Sequence, residues 1–224
     1  AAPPYIIAEA GISHFGSLDK AFELCDLAKN GRADAIKFQI FKTENLYASE
    51  AEDWRNRLKS RELSAESYRE VSKYCKKIGL TFFLTAHDIE SLDSIKDFEM
   101  PAIKIGSGEK GNFPYFEKVI NFEKPIIISL GMYSEEEVES LISFFIERKK
   151  SDVVFLHCVT NYPATPESIN LKSISYLRDK HGVLMGYSDH TKGHHIAEAS
   201  VHYGACVIEK HITLEYDIPN AQDW

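Results

Sequence analysis

Two histidines stand where short apolar runs end. His190 lies in Gly186-Tyr187-Ser188-Asp189-His190-Thr191, after the run 183–185, and His211 lies in Glu209-Lys210-His211-Ile212-Thr213, after the run 206–208. Such a run reads as a buried strand, and its polar end as the point where the strand surfaces. Two imidazoles at the ends of neighbouring strands can share one divalent ion. Imidazole suits Mn, Fe, Co, Ni or Zn, with oxygen ligands completing the shell. His14, His157 and Asp189 are expected partners that would orient those ligands. A lone histidine is more often a hydrogen-bonded core residue; the matched pair favours a metal. His194, His195 and His202 fall on an expected helix and read as surface or packing residues.

Other expected strands also end in polar side chains. Alternate residues of a strand share a face. Lys37 and Gln39 therefore face together, as do Gly186, Ser188 and His190, and Glu209 and His211. Glu9, Thr85, Lys104, Ser129 and His157 occupy comparable places. A purely structural interior would fill them with Val, Ile and Leu. Burying ionisable groups is costly unless they pair with each other or with a ligand, so the set reads as an active site. Lys37 and Lys104 suit an anion, with Ser107, Ser129 and Ser188 as hydroxyl donors; the bland alternative for each lysine is a surface position or an ion pair. Gly106-Ser107-Gly108 makes a small backbone nest fit for phosphate, a weak signal alone and a better one beside Lys104. Glu9 and Glu109 are the acid/base candidates, since a carboxylate in such a setting can be tuned for proton transfer. The alternative for Glu109 is a solvated loop residue.

The elements that must carry these residues alternate. Apolar runs at 5–8, 35–40, 81–85, 102–105, 125–130, 153–158, 183–187 and 206–212 predict eight strands. Helices separate them. Ser17 caps the first, whose stripe is Leu18, Ala21, Phe22, Cys25 and Ala28, and Gly31 ends it. Ser64 caps the next, with Tyr68, Val71, Cys75 and Ile78 on one face and Gly79 at its end. Helices follow at 89–98 and at 113–121, the latter with Pro114 near its start. Ser134 and Glu137 form a capping box before Val138, Leu141, Ile142 and Phe145. Further helices are expected at 169–179 and 194–203. The polar stretch 43–62 reads as a functional lid or a local insertion. Strands separated by helices pair in parallel through right-handed crossovers. Eight of them predict an α/β protein of the (β/α)8 TIM-barrel class, with its active site at the strand C-termini. A doubly wound sheet would advertise a glycine-rich turn after its first strand, and Gly11 and Gly16 do not make that pattern. The 224 residues begin almost on the first strand and stop before an eighth helix. They are expected to be one catalytic domain cut from a longer protein.

The net charge of -8 argues against a nucleic-acid surface. It leaves room for an anionic substrate, because a few lysines can dominate locally. No apolar run approaches the roughly 20 residues of a membrane helix, and the start carries no signal-peptide pattern. Cys25, Cys75, Cys158 and Cys206 are widely spaced and read as buried thiols in a reducing cytoplasm.

The segments IAEAGISH, ADAIKFQ, IKIGSGE, LHCVTNYP, GYSDHT and VIEKHIT resemble the sialic acid synthase family, which includes N-acetylneuraminate, legionaminic acid and pseudaminic acid synthases. The resemblance runs from Ile6 to about Thr213, and GYSDHT followed by EKHIT is its most specific part. It implies a barrel enzyme that condenses phosphoenolpyruvate with an N-acetylated amino sugar and releases phosphate. It implies manganese or magnesium on His190 and His211, acting as a Lewis acid on the sugar aldehyde. Lys37, Thr85, Lys104, Ser107, Ser129 and Ser188 would hold phosphoenolpyruvate, Gln39 and Tyr162 would contact the sugar, and Glu9 and Glu109 would handle water or protons. A homodimer is the family expectation.

The sequence departs from the family pattern near the sugar. Ser13-His14-Phe15 stands for Asn-His-Asn, Ser129-Leu130-Gly131-Met132 for Ser-Thr-Gly-Met, and Pro219-Asn220-Ala221-Gln222-Asp223-Trp224 for Pro-Gly-Pro-Asp-His. Asp223 is the matching sugar-binding aspartate, offset by one residue. The 41–64 loop also diverges. The acceptor therefore stays open between N-acetylmannosamine and its 2,4-diacetamido trideoxy relatives. Two rival readings are another phosphoenolpyruvate-dependent 3-deoxy sugar acid synthase and a silent barrel that binds sugar or scaffolds polysaccharide synthesis.

Overall fold

The computed structural model describes residues 2–216. Its elements in order are β1 (Tyr5–Gly11), α1 (Leu18–Asn30), β2 (Ala35–Ile40), α2 (Thr43–Leu46), α3 (Glu52–Lys59), α4 (Ala65–Ile78), β3 (Thr81–Ala86), α5 (Ile89–Ser94), β4 (Ile103–Ile105), α6 (Phe113–Ile120), β5 (Ile126–Ser129), α7 (Glu135–Glu147), β6 (Val153–Cys158), α8 (Lys172–His181), β7 (Leu184–Asp189), α9 (His195–His202) and β8 (Val207–His211). The strands form one eight-stranded sheet in the order β3-β2-β1-β8-β7-β6-β5-β4. Strands consecutive in the chain are neighbours in this order, except β3 and β4, which stand at its two ends. That is the connectivity of the (β/α)8 class, and a doubly wound sheet would instead reverse at a switch point.

The chain divides into two compact units. Among the described residues, one comprises 7–104 with the chain from His211 onward, and the other comprises the chain up to Ile6 with 105–210. In the first, β1 and β2 run parallel with Glu9 opposite Lys37, and the register slips between Glu9 and Gly11. Beyond it β2 pairs with β3, setting Gln39 opposite Thr85. Ser17 and Ser64 cap α1 and α4 as expected, each accepting a backbone N–H through its side chain. Gly79 ends α4 in the left-handed region at φ 66, where a side chain would be strained. The apolar faces of these helices bury Leu24, Cys25, Tyr68, Val71 and Cys75. The thiols of Cys25 and Cys75 lie 3.4 Å apart.

In the second unit β5, β6 and β7 pair in parallel, and β7 pairs with β8 so that Ser188 lies opposite Glu209. Phe116, Phe145 and Phe155 pack edge-on or tilted within its core. The Ser134–Glu137 capping box is present at α7.

Several boundaries differ from expectation. The run 89–98 is helical only over Ile89–Ser94, because Ile95 leaves the helical region and its N–H turns back to Leu92. The helix expected at 169–179 starts later, at Lys172, after a 3-10 turn over Pro166–Ser168 and an extended Ile169. The polar 43–62 stretch folds into α2 and α3, and α3 buries none of its residues. No helix of the described residues is long and apolar enough to cross a membrane.

Candidate active site

The expected residues fall into two groups, one in each unit. In the first unit Glu9 and Lys37 are almost fully buried, at 1 % and 3 % exposure. Their registered positions on β1 and β2 bring Lys37 Nζ to 2.8 Å from Glu9 Oε2. Lys37 also donates to Thr85 Oγ1 on β3 at 3.2 Å, and Gln39 Nε2 donates to Glu9 Oε1 at 2.7 Å. Three neighbouring strands thus present one connected set of charged and polar groups. Lys104, the middle residue of β4, is 1 % exposed. A buried ion pair is weak support for a fold, since desolvation offsets much of its attraction. Its connection through Gln39 and Thr85 to polar groups on three strands fits a ligand site better than a structural one.

His14 is linked to this group through Tyr68. Gly16 N–H donates to His14 Nδ1 at 3.0 Å, so the proton sits on Nε2 and faces Tyr68 Oη at 2.9 Å. Tyr68 then donates to the Gln39 carbonyl at 2.8 Å. One ring nitrogen of His14 thus fixes the turn after β1, and the other reaches β2 through Tyr68. Burial, then the charge of Arg61, pushes its pKa down to about 4. His87, just past β3, is pushed down to about 4 by burial and by the charges of Lys37 and Lys104. Its Nε2 is buried without a hydrogen bond among the described residues.

His211 ends β8 half-buried, and the N–H of the next residue, Ile212, donates to the Glu9 carbonyl at 2.9 Å. The first unit also contains a cavity of about 290 Å3, which Gln39, Tyr47, Trp54, Arg57, Arg61 and His87 help to line.

In the second unit Ser107 accepts the Gly131 N–H at 2.9 Å. A Cβ on Gly131 would meet Ser107 Oγ at 2.7 Å and would also run into Thr160, so this position needs glycine. Glu109 is buried and accepts from Asn112 Nδ2 at 2.7 Å. Ser129 is buried at the end of β5. Ser188 donates to Glu209 Oε1 at 3.1 Å.

The turn carrying His190 is built on Asp189. Asp189 Oδ1 accepts from Thr191 N–H at 2.9 Å, Thr191 Oγ1 at 2.8 Å and Tyr187 Oη at 3.0 Å. Asp189 Oδ2 takes Lys210 Nζ at 2.7 Å. His190 Nδ1 lies 2.7 Å from the Val159 carbonyl, and its ring lies 4.1 Å from the Tyr162 ring, centre to centre. A carbonyl only accepts, so Nδ1 carries the proton and Nε2 keeps its lone pair. That tautomer is what a ligating histidine needs. His157 stacks on Tyr187, and burial pushes its pKa down to about 4. The structure gives it no bond to His190. His194 and His195 are exposed, as expected, and form a solvent-facing group with Glu198. Asp223 lies outside the described residues.

Sequence reasoning did not single out Tyr47, Trp54, Arg57, Arg61 or His87. A signal was present for two of them: Trp54 and Arg57 are three residues apart, which puts them on one face of a short helix.

A (β/α)8 chain with ionisable groups buried along its strands belongs to the barrel class, in which active sites sit at the strand C-termini. Residues 24–223 match the NeuB family, and the chain belongs to it. It is 38 % identical over 225 residues to N,N'-diacetyllegionaminic acid synthase of Campylobacter jejuni, covering 94 % of this chain and 67 % of that protein. It is 33 % identical to N-acetylneuraminate-9-phosphate synthase of Drosophila melanogaster, covering 94 % of this chain and 60 % of that one. Among solved structures, the N-acetylneuraminic acid synthetase of Leptospira borgpetersenii, in complex with citrate, superposes with a TM-score of 0.91 at 34 % identity, covering 96 % of this chain and 74 % of that one. The chain thus spans about two thirds or less of the length of these two curated relatives.

Proposed function

We propose that the protein condenses phosphoenolpyruvate with an N-acetylated amino sugar to give a nonulosonic acid and phosphate. The observation that carries this reading is the buried Glu9–Lys37–Thr85 set, joined through Gln39. A cation buried at 3 % exposure, with a carboxylate and a hydroxyl on it, is arranged to exchange those partners for an anionic substrate. Family membership and the names of the relatives support the same activity. Those names include both an unphosphorylated and a phosphorylated product, so at this level the acceptor class is open.

In this account Lys37, Thr85, Lys104, Ser107, Ser129 and Ser188 bind phosphoenolpyruvate, and Gln39, Tyr162 and Asp223 contact the sugar. His190 and His211 hold a divalent ion, manganese or magnesium; the Nδ1–H of His190 on the Val159 carbonyl fits that role. When bound, the ion supplies Lewis-acid polarisation of the acceptor aldehyde. C3 of phosphoenolpyruvate forms the new bond to the aldehyde carbon, and the aldehyde oxygen gains a proton. Water adds to the resulting electron-poor C2. The tetrahedral adduct then breaks its C–O bond to phosphate, the C2 hydroxyl proton passes to the departing phosphate, and C2 is left as the ketone. Lys104 and Lys37 offset the charge on the departing phosphate. Glu109 and Glu9 move the protons: one is taken from water, one is given to the new hydroxyl. Glu109, held by Asn112, would act on one side of the reaction. Glu9 would be released for the other when substrate takes over Lys37. The protein is proposed to work in the cytoplasm as a homodimer.

The test is phosphate release from phosphoenolpyruvate by the full protein, with manganese, over a panel of N-acetylated acceptors. The reading expects sugar-dependent release that a chelator abolishes. Release without any sugar, or none with bound phosphoenolpyruvate and every acceptor, counts against it.

A further inference from the structure

The side chain of Lys210 bonds to the two residues that flank His190. Its Nζ donates to Asp189 Oδ2 at 2.7 Å and to the Thr191 carbonyl at 2.9 Å. The strand register makes this possible, since Asp189 and Lys210 stand opposite each other on β7 and β8. Asp189 is buried at 1 % exposure. Its Oδ1 is served by Tyr187 and twice by Thr191, whereas the donor to Oδ2 among the described residues is Lys210. The His190 carbonyl accepts the Ala164 N–H at 2.8 Å, and His190 Nδ1 meets the Val159 carbonyl at 2.7 Å. The turn is therefore gripped by the segment after β6 and, from β8, by one lysine.

Each bond of that lysine has a separate effect. An ammonium carries three donors, so it can hold a carboxylate and a carbonyl at once. A plain staple between β7 and β8 needs only the contact with Asp189. The bond to the Thr191 carbonyl lies beyond His190 in the chain and adds nothing to strand pairing; it fixes the turn. With residues 189 and 191 both held, the backbone of His190 is fixed from either side. Charge matters as well. A lone ammonium close to a cation ligand would repel the ion, and a carboxylate at 2.7 Å offsets it. The buried carboxylate in turn would be costly with neutral donors alone.

We propose that Lys210 is a positioning residue, which braces the backbone on both sides of His190 and so holds its imidazole with Nδ1 protonated and Nε2 unprotonated for a divalent ion. The proposal rests on the reading that His190 is a metal ligand. It also gives a physical reason why the segments GYSDHT and EKHIT occur together: the second supplies the brace for the first.

The test uses the full protein with Lys210→Met and Lys210→Arg. Nitrogen NMR of isotope-labelled histidine in the metal-free protein is expected to show His190 as the Nδ1–H tautomer in the unsubstituted chain and as a mixture in Lys210→Met. Manganese affinity, read from the spin-resonance signal of the free ion, is expected to fall about tenfold or more in Lys210→Met, with kcat at saturating manganese falling less. A guanidinium can also serve two oxygens, so Lys210→Arg is expected to recover most of both losses. If Lys210→Met does not fold, Lys210→Gln carries the same comparison. A variant that is less stable to urea but keeps the tautomer and the manganese affinity would reduce Lys210 to a strand staple and overturn the proposal. If the unsubstituted protein binds no manganese, the metal reading fails. The tautomer in the metal-free protein then still decides the role of Lys210: a mixture in Lys210→Met upholds the brace, and no change overturns it.

Discussion

Glu9 and Lys37 illustrate how two side chains that are costly to bury can be buried together. Each is buried, and each is compensated mainly by the other at 2.8 Å. Lys37→Met would leave the Glu9 carboxylate desolvated without its cation. The expected cost is about 3–5 kcal/mol of stability, together with loss of phosphoenolpyruvate binding. Urea unfolding and a binding titration check both parts; a variant that binds normally would remove Lys37 from the anion site. Lys37, Gln39, Thr85 and Glu9 were legible in the sequence because polar residues interrupt strands that otherwise read as apolar. His14 was legible only as a buried histidine. The chain of bonds through Tyr68 to the Gln39 carbonyl depends on a helix 54 residues away, which no local pattern announces.

At the scale of elements, the turn after β5 depends on a missing side chain. Gly131 N–H reaches Ser107 Oγ because nothing stands between them. Gly131→Ala is expected to displace Ser107 and Thr160, costing about 1–3 kcal/mol as overpacking does and raising KM for phosphoenolpyruvate more than it lowers kcat. Steady-state kinetics separates the two, and unchanged KM would mean that Ser107 is not a phosphate ligand. The main helices could be read from caps and stripes, since Ser17, Ser64 and Ser134 each accept the N–H that their position implies. α3 could not. Helical periodicity reports a buried face, and α3 buries no residue, so its charged sequence shows no stripe.

Across the whole molecule, three histidines set an acid limit. Burial holds His14, His87 and His157 neutral down to about pH 4, against an ordinary value of 6.5. The unfolded chain therefore takes up these protons first. Stability is undiminished above about pH 6.5 and falls as the pH drops from 6.5 towards 4, where the folded protein is protonated as well. Denaturation midpoints between pH 7 and 4.5 should decline, and His157→Gln should flatten the slope by about one proton. A flat profile would show that the histidines are not desolvated as described.

The alternation of eight apolar runs with helices was readable because parallel strands buried on both faces need continuous apolar sequence. The eight-stranded order follows from that alternation. The 43–62 segment has no such constraint, and its helices could not be read that way. The central claim is the condensation itself. Inorganic phosphate released from phosphoenolpyruvate, measured with and without an N-acetylated acceptor and manganese, tests it most directly. The account predicts release that requires both acceptor and metal and is lost in His190→Ala. Full release from His190→Ala, or release indifferent to the sugar, would contradict it.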